Sequence, residues 1–253
     1  MTMNKKYGWK PDLPDHRDII YSINRSIQVL PEKVDLRLNC PPVYDQGELG
    51  SCTGNAIAAA LEYEQIKKKV NKPFIPSRLF IYYNERLLEG TVNQDSGAQI
   101  RDGMKTVNLQ GACTEKTWPY TVSKFKTKPV AKAYTEGLKY QIKVYSKVNQ
   151  DLNSLKGCLA SGDPFVFGFT VYESFESDAV AKTGIVPMPA TTESTLGGHA
   201  VLCVGYDNKT QRFTVRNSWG SDWGIKGYFT IPYQYLTNIN LSSDFWVIKD
   251  IEI

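Results

Sequence analysis

The hydrophobic periodicity of this 253-residue chain changes once, and that change constrains the fold more than any other feature. In the first half, Ala56, Ala59, Ala60, Tyr63 and Ile66 recur at helical spacing, which predicts a long helix starting near Cys52. Lys67, Lys68 and Lys69 fall in its last turns, where the negative end of the helix dipole favours cations. A second helix is expected from Pro76 to Leu88, with proline at an early position. A third is expected to be capped by Ser96 and to end before Gly111. From Leu138 onward the pattern becomes strand-like. Leu138, Tyr140, Ile142 and Val144 alternate with polar residues. The runs 165–172, 200–206, 212–216, 227–231 and 245–253 are rich in aromatic and β-branched residues. Asp207-Asn208-Lys209 marks a hairpin between two of them. Helices first and strands second predict an α+β chain of two lobes rather than an alternating parallel sheet.

Residues 1–29 are rich in Pro, Asp, Asn and Lys and read as an extended arm in which Trp9 stands out. They precede a domain over 30–253, whose lobes are expected at about 30–122 and 123–253. The net charge of +4 is too small over this length to imply a polyanionic partner. Between Ser123 and Val148 seven lysines face one acid, Glu136, with Phe125, Tyr134, Tyr140 and Tyr145 interleaved. A nucleic-acid surface is one reading of such a stretch. A solvated connector leading into a strand explains it more simply, and no nucleic-acid partner is expected. No apolar run approaches the ~20 residues of a spanning helix, and no membrane association is expected. Five cysteines without a CxxC pair, and only two histidines, cannot complete a finger-type zinc site, and no metal is expected. Few cysteines and a polar start point to the cytoplasm or another reducing compartment, with export by a non-classical route left open.

Three short segments carry chemistry. Asp45-Gln46-Gly47-Glu48-Leu49-Gly50-Ser51-Cys52-Thr53-Gly54 runs directly into the long helix. A cysteine at a helix N-terminus faces unpaired N–H groups and the positive end of the dipole, which lower its pKa and favour the thiolate. The alternative is a small buried residue at a helix start. A nucleophilic cysteine needs a base. His16 lies in the polar arm and reads as solvated. His199, in Leu196-Gly197-Gly198-His199-Ala200, stands where a glycine-rich loop enters an apolar strand, with side-chain access to a cleft between lobes. Asn217, in Arg216-Asn217-Ser218-Trp219-Gly220, ends the next strand of the expected hairpin. Pairing would bring its carbonyl oxygen to the His199 imidazole N–H, with Trp219 shielding the bond from water.

Together these residues resemble the papain-like cysteine peptidases, the papain and cathepsin family. The likeness begins at Leu30-Pro31-Glu32-Lys33-Val34-Asp35 and continues through Gln46 to Cys52, Asp95-Ser96-Gly97-Ala98, Trp118-Pro119-Tyr120, His199 and Asn217-Ser218-Trp219-Gly220. The resemblance implies a helical left lobe and a β-barrel-like right lobe with the cleft between them. It implies Cys52 as nucleophile, His199 as base and then acid, Asn217 as the residue orienting His199, and Gln46 as an oxyanion donor beside the Cys52 N–H. It further implies that Gly97 lines the substrate backbone and that Ala98, Gly168, Gly197 and Ala200 line a roomy pocket for a bulky apolar side chain, with Gly198 and Trp219 nearby. Leu49 and Thr53 stand where many relatives have cysteine and an aromatic. The short arm resembles the leaders of compact bacterial and viral members, a likeness that leaves packaging in a virion open. Tyr7-Gly8-Trp9-Lys10-Pro11 is expected to pack across the cleft as an inhibitor. The function implied is a monomeric thiol endopeptidase acting on proteins or peptides without a cofactor. A transpeptidase or amidase on the same catalytic set, and a non-catalytic binding protein on a peptidase fold, are the alternatives.

Overall fold

The computed structural model describes residues 6–22 and 29–252. Four helices come early: α1 (Cys52–Lys67), α2 (Arg78–Leu88), α3 (Ile100–Gln110) and α4 (Ala131–Gly137). α1 is buried on every side from Cys52 to Gln65, because α2 and α3 pack on it from one side and the sheet from the other. Its alanine-rich sequence suits both the helix and close packing. α2 starts two residues later than the proline suggested, because the Ser77 hydroxyl caps it by accepting from the Phe80 N–H at 3.1 Å. α3 starts at Ile100 rather than after Ser96. The Ser96 hydroxyl bonds Thr91 Oγ1 instead, and Ala98 is held extended by a bridge to Trp9. Gly111 ends α3 as expected, with φ 69°. The lysine-rich stretch forms α4 and the first strand of the second half.

The strands are β1 (Lys33–Asp35), β2 (Ile142–Lys147), β3 (Phe165–Tyr172), β4 (Thr195–Asp207), β5 (Arg212–Arg216), β6 (Tyr228–Pro232) and β7 (Ser242–Ile251). The short helices α5 (Leu152–Ala160), α6 (Asp178–Thr183) and α7 (Tyr233–Thr237) lie between them. All seven strands join one antiparallel sheet in the order β2-β7-β3-β4-β5-β6, with β1 added to β4. β2 and β6 are its two ends and do not pair, so the sheet is not closed into a barrel. β4 is longer at its start than the apolar run indicated. Gly198 and Gly197 already pair with Thr170 and Val171, so His199 lies inside the strand, opposite Phe169. The ladder to β3 overrides the low strand preference of the two glycines.

Phe165, Phe167, Phe169, Phe213, Phe229 and Phe245 fill one core against the sheet. A second lies between α1 and the sheet, and Trp9 of the arm belongs to it. A third, around Leu79, Phe80, Tyr82 and Trp118, also takes in Leu49. All five cysteines are free thiols. Among the described residues no helix is long and apolar enough to cross a membrane.

Candidate active site

The site forms where α1 meets β4 and the loop after β5. Cys52 is the first residue of α1 and fully buried. The loop before it is tied on several sides. The Gly50 N–H donates to Asp95 at 3.1 Å, the Tyr120 hydroxyl donates to the Gln46 carbonyl at 2.9 Å, and the Gln46 N–H donates to the Ser218 carbonyl at 2.9 Å. That last bond joins the loop before the cysteine to the loop after β5.

His199 Nε2 lies 2.8 Å from Asn217 Oδ1, which also accepts the Ser218 N–H at 2.8 Å. An amide oxygen only accepts, so Nε2 carries the hydrogen and proton exchange falls to Nδ1. The Trp219 indole stacks on the imidazole with centroids 5.0 Å apart and planes at 27°. Phe169 and Phe175 also pack against the imidazole. Gln46 is held by its carboxamide: Oε1 accepts from Ser218 Oγ at 2.7 Å, and Nε2 donates to the Leu49 carbonyl at 2.9 Å and to the Lys6 carbonyl at 3.2 Å.

Lys6 belongs to the arm, and the arm occupies this cleft. The Ala98 N–H donates to the Gly8 carbonyl at 2.7 Å, and the Lys10 N–H donates to the Ala98 carbonyl at 3.1 Å. The Trp9 N–H donates to the Gly198 carbonyl at 2.9 Å. Gly97 has φ 69°, and a Cβ there would come within 2.1 Å of the Gly8 carbonyl oxygen, so both its conformation and its bareness are required. The Trp9 side chain fills a pocket whose walls are bare backbone. A Cβ on Gly168 would lie 1.9 Å from the indole, and one on Gly198 2.7 Å from it. Trp9 Nε1 donates to Asp244 Oδ2 at 3.0 Å. Tyr7 packs edge-on against His199 with centroids 5.9 Å apart, meets Glu176 through its hydroxyl, and lies against Gly197. Ala200 is fully buried in the core that holds Trp9, and its backbone is bonded to the Cys52 thiol. Gly97, Ala98, Gly168, Gly197 and Gly198 thus all lie against the arm, and Trp219 lies against Tyr7. His16 is exposed, away from this centre.

Coverage by the arm changes the electrostatics. Burial pushes the Cys52 thiol up to about 12; backbone bonds from Ala200, Gly8 and Thr53 pull the other way, and the charge of Glu85 adds to the rise. The helix N-terminus was expected to lower this pKa, but with the cleft occupied desolvation outweighs it. Glu85 is fully buried on α2. Its Oε2 accepts from Thr53 Oγ1 at 2.7 Å, and its Oε1 has no hydrogen-bond partner among the described residues.

Sequence reasoning did not single out Asp244 or Glu85, and it quoted Asp95 and Ser218 within motifs without giving them a role. Asp244 left no usable signal, since it precedes the apolar run and β7 also carries Ser242, Ser243, Lys249 and Asp250. The other three depend on contacts that sequence spacing does not encode. Among the described residues no group of three or more His, Cys, Asp or Glu side chains is placed to hold a metal ion.

A cysteine at the start of the helix packed on β4, with a histidine–asparagine pair on β4 and the loop after β5, defines a cysteine peptidase of papain-like fold. The sequence model described as papain family cysteine protease matches residues 30–246, and the chain belongs to that family. It is 43% identical over 275 aligned positions to a peptidase C1-like protein of Acanthamoeba polyphaga mimivirus, covering 99% of this chain and 88% of that one. Its structure is similar to that of Xylellain, a cysteine protease from Xylella fastidiosa, with TM-score 0.92, 48% identity and coverage of 98% and 97%. Procathepsin L 3 of Tenebrio molitor shares the fold, with TM-score 0.72 at 18% identity over 97% of this chain and 76% of that one. By contrast, the chain spans 44% of the cathepsin C of Schistosoma mansoni, to which it is 32% identical over 75% of its own length.

Proposed function

We propose that the chain is an endopeptidase that acts through an acyl-enzyme on Cys52 and is restrained by its own N-terminal arm. His199 Nδ1 takes the Cys52 proton, and the thiolate attacks the carbonyl carbon of the scissile bond. The resulting oxyanion accepts hydrogen bonds from Gln46 Nε2 and the Cys52 N–H, both fixed before reaction. Collapse expels the amine, which receives its proton from His199. Water then attacks the thioester with His199 again as base. Asn217 holds the imidazole without adding negative charge beside a thiolate–imidazolium pair.

The observation that carries this reading is the pairing of Gln46 Nε2 with the Lys6 carbonyl at 3.2 Å, a peptide carbonyl at an oxyanion donor. Trp9, which fills the pocket, follows Lys6 in the chain, whereas in a substrate the pocket residue precedes the carbonyl under attack. The arm therefore runs opposite to a substrate and can lie there uncut. The pocket filled by Trp9 supports a preference for a bulky side chain at the second residue before the scissile bond.

Hydrolysis of a fluorogenic peptide library under reducing conditions tests the reading, with Cys52→Ala as blank and Trp9→Ala as the chain with its arm loosened. Hydrolysis above the blank, stronger in Trp9→Ala, is expected. Well-folded protein that stays at the blank in both forms would remove the peptidase reading. Equal activity in both would remove the restraint, and a library preference for Gly or Ala in the pocket would remove the specificity.

A further inference from the structure

On either side of the pocket filled by Trp9, the side chains that grip the arm are carboxylates. Lys6 Nζ lies 3.2 Å from Asp95 Oδ2, Lys10 Nζ lies 2.7 Å from Glu89 Oε2, and the Tyr7 hydroxyl donates to Glu176. The domain itself fixes two of these acids. Asp95 accepts the Gly50 N–H and, at 2.7 Å, the Tyr82 hydroxyl, while Glu89, at the end of α2, accepts the Gln99 N–H at 2.7 Å through Oε1. Glu176 follows β3 in the stretch 173–178, which holds three acids and no base. Among the described residues, no Lys or Arg outside the arm is ion-paired with any of the three. Arg86, whose charge reaches Asp95, directs its donors to the Val92, Gln94 and Phe125 carbonyls. Farther along the arm the signs reverse, where Asp18 meets Arg101 and Lys147. The acidic character therefore belongs to the stretch that crosses the cleft.

We propose that the cleft takes cationic peptides, preferring a basic side chain at the residue before the one that fills the pocket, beside Glu89, and at the residue after the scissile bond, beside Glu176. The proposal rests on the reading of the cleft as a peptidase site and names its substrate class. The two positions follow from the arm. The Gly8 backbone meets the Cys52 thiol and Tyr7 packs on His199 and Trp219, so Tyr7 and Glu176 lie on the catalytic side of the pocket. Lys10 and Glu89 lie on the other side. A substrate runs opposite to the arm, but the charge of the wall does not depend on chain direction, so it meets the same carboxylates. When the arm leaves, Glu89 and Asp95 lose their lysines, and a peptide carrying Lys or Arg replaces them. With a chain in the cleft the Glu89 side chain is only 9% exposed, so an ion pair there is screened less than one on the open surface. Complementary charge of this kind sets the choice of partner and speeds its encounter.

The test uses the full chain carrying Trp9→Ala and quenched fluorogenic peptides with Phe as the pocket residue. Lys, Gln or Glu is placed either directly before that Phe or directly after the scissile bond. At each position kcat/KM should fall in the order Lys, Gln, Glu, with Lys over Glu by on the order of tenfold, and the gap should narrow as salt is raised. Glu89→Gln should flatten the order at the first position alone, and Glu176→Gln at the second alone. Binding of the same peptides to the Cys52→Ala, Trp9→Ala chain, followed by fluorescence anisotropy, should show the same order without any turnover. Hydrolysis with no charge preference, or with Glu preferred, would overturn this inference and leave the peptidase reading intact. An order that survives both Gln substitutions would overturn the assignment to Glu89 and Glu176. Binding in the expected order without hydrolysis would support the cationic cleft and remove the peptidase, and neither binding nor hydrolysis of any peptide would overturn both.

Discussion

Gln46 shows how much of this site rests on single hydrogen bonds. Its side chain is anchored by Ser218 Oγ on one end and the Leu49 carbonyl on the other, leaving Nε2 directed at the carbonyl of whatever peptide fills the cleft. Gln46→Ala, made together with Trp9→Ala, is expected to lower kcat by about 10²–10³ with little change in KM, the usual cost of one lost oxyanion donor. A KM effect without a kcat effect would reassign Gln46 to ground-state binding. Cys52 makes the complementary case. Its thiol is pushed up to about 12 while the arm covers it, and uncovering removes the desolvation that causes the rise. Alkylation of Cys52 by iodoacetamide at pH 7, followed by peptide mass spectrometry, should be faster in Trp9→Ala by on the order of tenfold or more, since the thiolate is the reacting form. The buried thiols of Cys113, Cys158 and Cys203 serve as internal references that the substitution leaves unchanged. Equal rates at Cys52 would mean that the arm does not control access to the sulfur.

At the scale of elements, the helices and strands were legible wherever local pattern and tertiary packing agreed, and misread where the arm or a ladder intervened. α1 could be placed at Cys52 because an alanine-rich period and a glycine-rich loop meet there. The start of α3 could not, since Gly97 turns with a positive φ and Ala98 is paired with a distant segment, Gly8 to Lys10. The same holds for β4, whose first residues are glycines that pattern assigns to a loop and that β3 holds in the sheet. Cys52, His199, Asn217 and Gln46 were readable because each sits on a distinctive local motif. Asp244 was not, because its role exists only when Trp9 lies in the pocket. β3 offers a direct test of that pocket. Gly168→Ala places a methyl where the Trp9 indole now lies, 1.9 Å from a ring atom, and a rigid ring walled by Gly198 has little room to give. The expected outcome is an arm expelled from the cleft, with increased hydrolysis of peptides carrying a small residue in the pocket and reduced hydrolysis of those carrying an aromatic one. An Ala variant that keeps wild-type restraint and wild-type selectivity would show that the pocket is not where Trp9 acts.

For the whole molecule, a buried and incompletely paired carboxyl sits among the helices that carry the nucleophile. Glu85 on α2 sits where α1 and α3 also converge: Thr53 of α1 donates to it, and a Cβ on Gly103 of α3 would come within 2.4 Å of its second oxygen. Burial pushes its carboxyl up to about 8, and the charges of Glu89 and Asp102 add to the rise. In the unfolded chain the value is near ~4.3. The folded state thus holds a proton that the unfolded state gives up between those values, so stability is highest below the unfolded pKa and declines as pH rises toward 8. Glu85→Gln keeps an acceptor for Thr53 and cannot ionise. It should leave stability nearly unchanged at pH 4 to 5 and raise it at pH 8 by on the order of a few kcal/mol, or several degrees in Tm for a chain of this size. Loosening the arm does not touch this group, so a Trp9→Ala chain should keep the pH slope, and the double variant Trp9→Ala, Glu85→Gln should lose it. If thermal melts of wild type and Glu85→Gln instead run parallel from pH 5 to 8, Glu85 is ionised in the folded protein, and its charge must be compensated within the helix junction by Arg86, the nearest cation on its own helix.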